Sequence, residues 1–299
     1  MRALVFSGQG SLYPGIGKDF YEQFPFVQAN YDGSILKEKV KALTLYSQED
    51  LNKHYLGQLA LVQYFMSVVD VIDYMGINYD TTFGLSLGTY GSLYATKALN
   101  RDTLFSLVEK RSQAMDISNE QCDTGLLAIL GVSIFDIMEY IENEEKIFLA
   151  NDNAIGQVVV GGSLKDLEVF KEKLGILGKK SIVLPVRSAF HTPYMQLAEQ
   201  KFSEALKNIT FSPFKIPLID NRTGEYLEEN QITEALATHL TRPVLFRESL
   251  LFAHNLGVTE FIVIDPGKSI ASFIKKTLGK DEKIVKISRV EDLEKLRSL

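Results

Sequence analysis

The pentapeptide Gly84-Leu85-Ser86-Leu87-Gly88 has the spacing of a serine nucleophile. In the pattern G-x-S-x-G the serine lies on a tight turn between a strand and a helix, where its hydroxyl is exposed. The following helix directs its positive dipole end and backbone N–H groups toward a developing oxyanion, and the N–H of Leu87 is the expected donor. The pattern predicts nucleophilic catalysis at Ser86, and the alternative is a glycine-rich connection with an exposed serine.

A serine nucleophile needs a base, and the chain contains only His54, His191, His239 and His254 as histidines. His191 follows the apolar run IVLPV by a few residues and stands just before a Thr-Pro turn. A single histidine at a strand end is by default an ordinary surface residue. Its setting makes His191 the best candidate for the base.

Cysteine and histidine usage gives no sign of a metal site. The single cysteine, Cys122, cannot form an internal disulfide, and its neighbours Gln121 and Asp123 have no metal-ligand spacing. The four histidines show no ligand-like spacing among themselves either. We therefore expect a protein of the reducing cytoplasm without a bound metal.

Two predicted strands lead into candidate functional segments. Residues 3–6 (Ala-Leu-Val-Phe) form a short apolar run that enters the loop 7–10 (Ser-Gly-Gln-Gly), whose glycines permit close backbone approaches. Residues 81–83 precede the Ser86 turn directly, and a helix-forming segment follows it. The order strand, sharp turn, helix is the one that a nucleophilic serine requires.

Two helices are predicted on either side of this turn. Apolar residues recur at spacings of three and four between 59 and 72, and Gly76 supplies a stop. The same spacing between 103 and 115 predicts a largely buried helix from which Arg111 projects. Both helices should pack in the core.

The pattern between residues 125 and 187 changes to β-α-β-β-α-β, the ferredoxin-like order. We therefore predict two parts: a larger α/β domain from residues 1–124 and 188–299, and a small ferredoxin-like α+β subdomain inserted at 125–187. The run at 261–265 is predicted to be the last strand.

Composition excludes several classes of protein. The chain has 299 residues, 45% hydrophobic and 23% charged, with a formal net charge of -6. Its Lys and Arg residues are scattered, so we expect no nucleic-acid partner. The apolar stretch 58–77 contains Gln63, Asp70 and Asp73, which predicts a buried helix and no membrane span.

Seven segments in order resemble the malonyl-CoA:acyl carrier protein transacylases over nearly the whole chain. They are FSGQGS, GLSLG, RSQAM, NDNAIGQVVVGG, SAFHTPYM, HLTRPVLF and DPGKSI. The resemblance implies an α/β-hydrolase-like larger domain with a ferredoxin-like insertion. It also implies a coenzyme A thioester as substrate, no tightly bound cofactor, and a phosphopantetheinylated acyl carrier protein as partner.

By this resemblance Ser86 is the nucleophile and His191 is the base that takes its proton. The imidazole would be oriented by the backbone carbonyl of His239, a position where the family usually has glutamine. Gln9 would supply a second backbone N–H to the oxyanion hole beside Leu87.

The resemblance also implies substrate-binding residues. Arg111 would hold the free malonyl carboxylate in a two-pronged ion pair, which suits a guanidinium. Phe190, just before His191, resembles the residue found at this position in family members that prefer malonyl groups. Gln58, Asn153 and Gln157 resemble polar residues that line the cleft, although Asn153 in an NDNA turn is equally well explained as a capping residue.

Departures from the family pattern leave the pathway open. Leu85 stands where most relatives of fatty acid synthesis have histidine, and Thr89 replaces a common glutamate. The GLSLG form resembles stand-alone acyltransferases that serve modular polyketide synthases lacking their own transferase domain. It favours polyketide over fatty acid synthesis, and both pathways remain candidates.

Two other functions compete with malonyl transfer. An acyl hydrolase would use the same Ser86 and His191 but admit water, and the presence of Arg111 argues against it. A non-catalytic protein that only docks carrier proteins would have no need for these three residues. We expect the protein to be a monomer.

Overall fold

The computed structural model describes residues 1–10, 12–30, 38, 54–119, 123–186 and 188–298. The predictions that concern Cys122 and the side chain of His54 lie outside the described residues. So does residue 187, at the predicted end of the subdomain.

The described part of the chain contains both α-helices and β-strands. The α-helices are α1 Lys18–Gln23, α2 Pro25–Ala29, α3 His54–Tyr74, α4 Gly88–Ala95, α5 Arg101–Asn119, α6 Ile134–Ile141, α7 Leu164–Ile176, α8 Gln196–Leu206, α9 Ile232–Thr238, α10 Phe246–Asn255 and α11 Ser269–Leu278. The strands are β1 Arg2–Phe6, β2 Thr81–Gly84, β3 Thr124–Leu130, β4 Phe148–Ala154, β5 Gln157–Ser163, β6 Lys180–Val183, β7 Ile219–Asp220, β8 Glu225–Tyr226, β9 Val244–Leu245, β10 Glu260–Ile264 and β11 Lys283–Ile287. Short 3₁₀ segments occur at Pro193–Met195, Glu229–Gln231 and Val290–Ser298.

A parallel sheet with the order β11-β10-β1-β2 forms the centre of the larger part. Residues 3–6 of β1 are completely buried, which explains the continuous apolar run, because both faces of such a sheet are covered. Leu4 and Phe6 pack into one hydrophobic cluster, whereas Ala3 and Val5 pack into another on the opposite face. The predicted strand at the N-terminus is confirmed.

The prediction that the run at 261–265 is the last strand is wrong, because β11 lies beyond it and pairs with β10. β11 has the sequence Lys-Ile-Val-Lys-Ile, in which Val285 and Ile287 are buried and Lys283 is exposed. An edge strand tolerates such charged positions because one side of its ladder faces solvent. Five residues with two lysines give too weak a pattern for recognition from sequence.

The small subdomain contains an antiparallel sheet with the order β6-β3-β5-β4. This is the strand order of a ferredoxin-like unit, in which the first and third strands lie in the middle. The predicted order of elements is therefore present, with β3 beginning at Thr124. The division of the chain at residues 124 and 188 stays a prediction.

The sheet of the subdomain does not end with its own strands. β9, from the larger part, pairs in parallel with β4 through Asn151 and Val244 and through Asp152 and Leu245. A partly buried ion pair joins the same regions, since Arg247 Nε donates to the buried Asp152 Oδ2 at 2.8 Å. The two parts thus share a sheet and an ion pair.

Helix α3 occupies the middle of the larger hydrophobic cluster. By length and composition its segment Leu56–Tyr74 could cross a membrane, but 89% of its apolar window is buried inside the protein. It contacts α1, α2, α4 and α5. The predicted buried helix is confirmed, and its apolar character is that of a core helix.

The carboxyl ends of β1 and β2 lie side by side, with Phe6 opposite Gly84. The loop after β1 and the Ser86 turn after β2 therefore emerge together. In open parallel sheets this edge is the usual place for a binding crevice.

Candidate active site

The Ser86 turn has the geometry that its glycines predict. β2 ends at Gly84, α4 begins at Gly88, and Ser86 has a φ of 51°, in the left-handed region. A Cβ on Gly84 would lie 2.1 Å from the carbonyl carbon of Gly88, and a Cβ on Gly88 would lie 2.5 Å from the carbonyl oxygen of Phe6. No other residue type fits at these two positions without moving backbone. The strand-turn-helix context is confirmed.

Ser86 and His191 are in hydrogen-bond contact, although 105 residues separate them in sequence. The Ser86 Oγ lies 2.7 Å from His191 Nε2, and His191 Nδ1 lies 2.7 Å from the backbone oxygen of His239. A carbonyl oxygen only accepts hydrogen bonds, so Nδ1 carries the proton and Nε2 is left to accept from the serine. This is the arrangement of a nucleophile, a base and a group that orients the base.

The protonation state of His191 also suits a base. Burial lowers the pKa of His191 to about 4, helped by the charge of Arg111 and opposed by the hydrogen bond to the His239 carbonyl. The imidazole is therefore neutral at neutral pH and free to accept a proton. Its backbone has a φ of 63°, and its N–H donates to the carbonyl oxygen of Leu240 at 2.9 Å.

Arg111 is a buried cation close to this pair. It projects from α5 with 1% exposure, its Nη1 donates to Gln58 Oε1 at 2.5 Å, and its Cζ lies 5.4 Å from the centroid of the Tyr90 ring. Among the described residues, no carboxylate forms an ion pair with it. Burying a charge without a counter-ion is costly. An anionic ligand would remove that cost.

The loop after β1 approaches the Ser86 turn closely. A Cβ on Gly8 would lie 2.9 Å from the backbone oxygen of Leu85 and 3.3 Å from its Cγ. Gln9, next in the loop, is exposed, whereas Leu87 is buried. In the part of the chain that the structure describes, the N–H groups of Gln9 and Leu87 donate to no protein acceptor. Their oxyanion role stays a prediction.

The remaining predicted residues are distributed unevenly. Gln58 is buried against Arg111. Phe190 packs against the large hydrophobic cluster around α3 and against a small cluster on the subdomain sheet, formed by Leu126, Ala128, Ala150 and Val159. Asn153 lies in strand β4, at an irregularity of its pairing, so the alternative that it caps a turn is wrong, and its role in binding substrate stays a prediction. Gln157 instead accepts a hydrogen bond from Lys276 at the surface, 3.1 Å away.

Sequence reasoning missed two side chains near the site. The His239 ring is buried, its centroid lies 5.0 Å from that of His191, and its nitrogens have no partner among the described residues. Burial holds the pKa of His239 well below its usual value, so the ring is neutral. Asn221 donates to the backbone beside Ser86. The sequence pointed to His239 only through its backbone carbonyl, and Asn221 lies outside the seven family segments, so no sequence signal pointed to either side chain.

A family model described as "Acyl transferase domain" matches residues 3–295 of the chain. The chain belongs to this family. The acyl transferase is 32% identical to the malonyl CoA-acyl carrier protein transacylase of Bacillus subtilis (strain 168), over 98% of this chain and 95% of that protein. It is 28% identical to the polyketide biosynthesis malonyl CoA-acyl carrier protein transacylase PksC of the same organism, over 92% of this chain and 96% of the relative.

Solved structures agree with this assignment. The acyl transferase superimposes on the crystal structure of malonyl CoA-acyl carrier protein transacylase from Clostridium perfringens Atcc 13124 with a TM-score of 0.94 and 30% identity, covering 99% of this chain and 96% of that one. The predicted fold class and acyltransferase activity are thus confirmed.

Within the described residues, no cluster of three or more His, Cys, Asp or Glu side chains is placed to hold a metal ion.

Proposed function

We propose that this acyl transferase moves a malonyl group from coenzyme A to the phosphopantetheine thiol of an acyl carrier protein, through an ester on Ser86. The observation that carries the proposal is Arg111, a buried cation without a carboxylate partner among the described residues, close to a hydrogen-bonded Ser86 and His191. The names of the relatives from Bacillus subtilis and Clostridium perfringens support the same substrate pair.

In the first half-reaction, His191 Nε2 takes the proton of Ser86 while the serine oxygen attacks the thioester carbon of malonyl-CoA. The carbonyl oxygen becomes an oxyanion, which the N–H groups of Gln9 and Leu87 would stabilise. Collapse of the tetrahedral intermediate breaks the carbon–sulfur bond, and the departing coenzyme A sulfur takes the proton from His191. Malonyl-Ser86 and free coenzyme A result.

In the second half-reaction, the same groups work on a different thiol. The phosphopantetheine thiol of the carrier protein gives its proton to His191 Nε2 and attacks the malonyl ester carbon. The ester bond breaks, and Ser86 takes the proton back. Since coenzyme A leaves before the carrier protein reacts, ping-pong kinetics are expected.

The buried guanidinium would select for malonyl over neutral acyl groups. Arg111 can form two parallel hydrogen bonds to the free carboxylate of a malonyl group. An acetyl group offers nothing to this charge and leaves it desolvated and unpaired. Gln58, which already accepts a hydrogen bond from Nη1, would hold the guanidinium in place.

The cellular setting belongs to the same proposal. A lone cysteine fits a reducing compartment, so we place the reaction in the cytoplasm. One relative, PksC of Bacillus subtilis, is named for polyketide biosynthesis, and the carrier protein of a polyketide or a fatty acid pathway is a candidate acceptor.

The decisive experiment follows the acyl group by intact mass. The protein is incubated with malonyl-CoA or acetyl-CoA, and a phosphopantetheinylated carrier protein is added afterwards, with Ser86→Ala as the control. We expect a malonyl adduct that requires Ser86 and passes to the carrier. Loss of the adduct to water at the same rate with and without carrier would identify a hydrolase, and no adduct would identify a docking protein.

A further inference from the structure

Asn221 contacts residues on both sides of Ser86 in the sequence. It lies in the turn between β7 and β8 and is 2% exposed. Its Nδ2 donates to the carbonyl oxygen of Gly84 at 2.5 Å and to Thr89 Oγ1 at 3.1 Å. A side-chain amide has two N–H bonds, one for each acceptor. One side chain therefore ties the end of β2 to the first turn of α4, with the strained serine between them.

The next residue, Arg222, contacts the part of the chain that orients the base. Its Nη2 pairs with Asp220 Oδ2 at 2.7 Å, and its Nη1 donates to Thr238 Oγ1 at 2.5 Å. Thr238 is the last residue of α9. His239 follows directly, and its carbonyl oxygen accepts the Nδ1 proton of His191.

The turn that carries both residues is itself held firmly. The Leu245 N–H donates to the Asn221 carbonyl at 2.5 Å, and the Gly224 N–H donates to the Asp220 carbonyl at 2.8 Å. Gly224 has a φ of 77°, and a Cβ there would lie 2.6 Å from Glu248 Cβ, so the turn packs tightly against α10. A rigid turn of this kind can fix the distance between the Ser86 turn, which Asn221 contacts, and the end of α9, which Arg222 contacts.

We propose that Asn221 and Arg222 form a brace that sets the position of Ser86 relative to His191. Asn221 holds the nucleophile turn, and Arg222 holds the carbonyl that orients the base. Both are positioning residues, because neither touches the reacting atoms. The inference rests on the proposed roles of Ser86 and His191, and it assigns a function to two neighbouring residues that no motif marks.

The test compares Asn221→Leu and Arg222→Ala with a matched control. Arg2→Ala breaks an ion pair of similar exposure, since the side chains of Arg2 and Arg222 are 18% and 16% exposed. Arg2 lies at the amino end of β1, whereas Ser86 lies beyond the carboxyl end of the neighbouring strand β2. Thermal unfolding of all three variants shows how much stability each loses.

The first readout is the rate at which a fluorophosphonate labels Ser86, which needs no malonyl group and no carrier protein. We expect both brace variants to label between about 10-fold and 100-fold more slowly, because small misplacements of a nucleophile have effects of that size. Arg2→Ala should label at the wild-type rate. In malonyl transfer, kcat should fall in the brace variants while KM stays constant.

The second readout is the tautomer of His191 in ¹⁵N spectra, which four histidines keep simple. Arg222→Ala should increase the form with the proton on Nε2, and Asn221→Leu should not. Thr238→Val removes the hydroxyl that Arg222 contacts, so it should reproduce the effect of Arg222→Ala without adding to it in the double variant.

Three results decide between the brace and its alternatives. Wild-type labelling rates in both variants, or slowing equal to that of Arg2→Ala, would overturn the brace. Phosphonate labelling without malonyl loading in the wild-type protein would overturn the proposed function and still leave the brace measurable. If the phosphonate does not label the wild-type protein, Ser86 is not an activated nucleophile, and both the brace and the proposed function are overturned.

Discussion

At the residue scale, the site is governed by two buried groups whose charge states differ. His191 is held neutral by burial, and Arg111 is kept as a buried cation with a neutral glutamine as its hydrogen-bond partner. One group can therefore accept a proton at neutral pH, and the other can receive a carboxylate. Each property leads to a measurement.

The pH dependence of Ser86 acylation should follow the lowered pKa of His191. Only neutral imidazole accepts the serine proton, so kcat/KM falls when His191 becomes protonated. With its pKa at about 4, the rate should stay level from neutral pH down to about pH 5, below the ordinary histidine value of about 6.5. Rapid-quench mass spectrometry of malonyl loading measures this acidic part of the pH profile.

A fall in rate centred near the ordinary histidine pKa would contradict that expectation. Circular dichroism must accompany the measurement, because the same shift affects stability. A histidine in the unfolded chain binds its proton at about pH 6.5, whereas the folded His191 binds it only with a pKa of about 4. The free energy of unfolding therefore declines as the pH falls between these two values.

Replacing Arg111 should change which acyl group the protein takes. Arg111→Ala removes the cation that would pair with the malonyl carboxylate, and losing such a charge pair costs about 3 kcal/mol or more, roughly 100-fold in rate. Acetyl loading should rise, because no desolvated charge remains. Competitive loading from a mixture of malonyl-CoA and acetyl-CoA, read by intact mass, gives the ratio directly.

Gln58→Leu is the matched variant for that experiment. It removes the acceptor of Arg111 Nη1 and leaves the charge in place. It should slow malonyl loading less than Arg111→Ala and should not favour acetyl. Equal selectivity in the wild type and in Arg111→Ala would exclude Arg111 as the malonyl-binding residue.

At the element scale, the Ser86 turn depends on close backbone packing between β1, β2 and α4. Gly88 touches the carbonyl oxygens of Phe6 and Ser7, where a Cβ would lie at 2.5 and 2.8 Å. Neither contact atom belongs to a flexible side chain. Residues 3–6 of strand β1 are fully buried, so the surrounding core holds the strand in place.

A pair of glycine substitutions tests this packing. Gly88→Ala should lower the free energy of unfolding by about 1–3 kcal/mol, as overpacking does, and slow acylation of Ser86 as the turn shifts. Gly175→Ala, in helix α7, meets nothing within 4 Å and should raise stability by about 1 kcal/mol. Urea unfolding of both variants measures the difference, and equal effects would refute the crowding at Gly88.

At the scale of the whole molecule, the two parts are joined by β9 and by the ion pair of Arg247 with Asp152. The Asp152 side chain is 1% exposed, and burial raises its pKa in spite of the nearby guanidinium. The carboxylate thus depends on Arg247 for its charge. Removing one member of a buried pair leaves the other without compensation.

Arg247→Met should therefore destabilise the protein by about 3 kcal/mol at neutral pH. The loss should be smaller at about pH 5, because protonation of Asp152 relieves the unpaired charge there. Arg2→Met breaks a more exposed pair with Glu260 and should cost no more than about 1 kcal/mol. Urea unfolding at both pH values compares the two, and equal losses would show that the junction does not depend on this ion pair.

Local patterns were sufficient for much of the fold and for the shape of the turn that carries Ser86. Buried strand β1, core helix α3, the ferredoxin-like order and the Ser86 turn follow from periodicity and from the small size of glycine, which act between near neighbours in sequence. Edge strand β11 escaped recognition because lysines interrupt its apolar pattern. Asn153 was misplaced because polar residues in a strand resemble those of a turn.

The sequence by itself determined the kind of chemistry, through the spacing around Ser86 and the ordered segments of the acyl transferase family. Only the tertiary structure decided which atoms meet: the serine and His191, the Asn221 amide and the Ser86 turn, β9 and the subdomain sheet. These contacts join residues that are far apart along the chain. Their distances depend on packing of the whole core, and no local pattern encodes that packing.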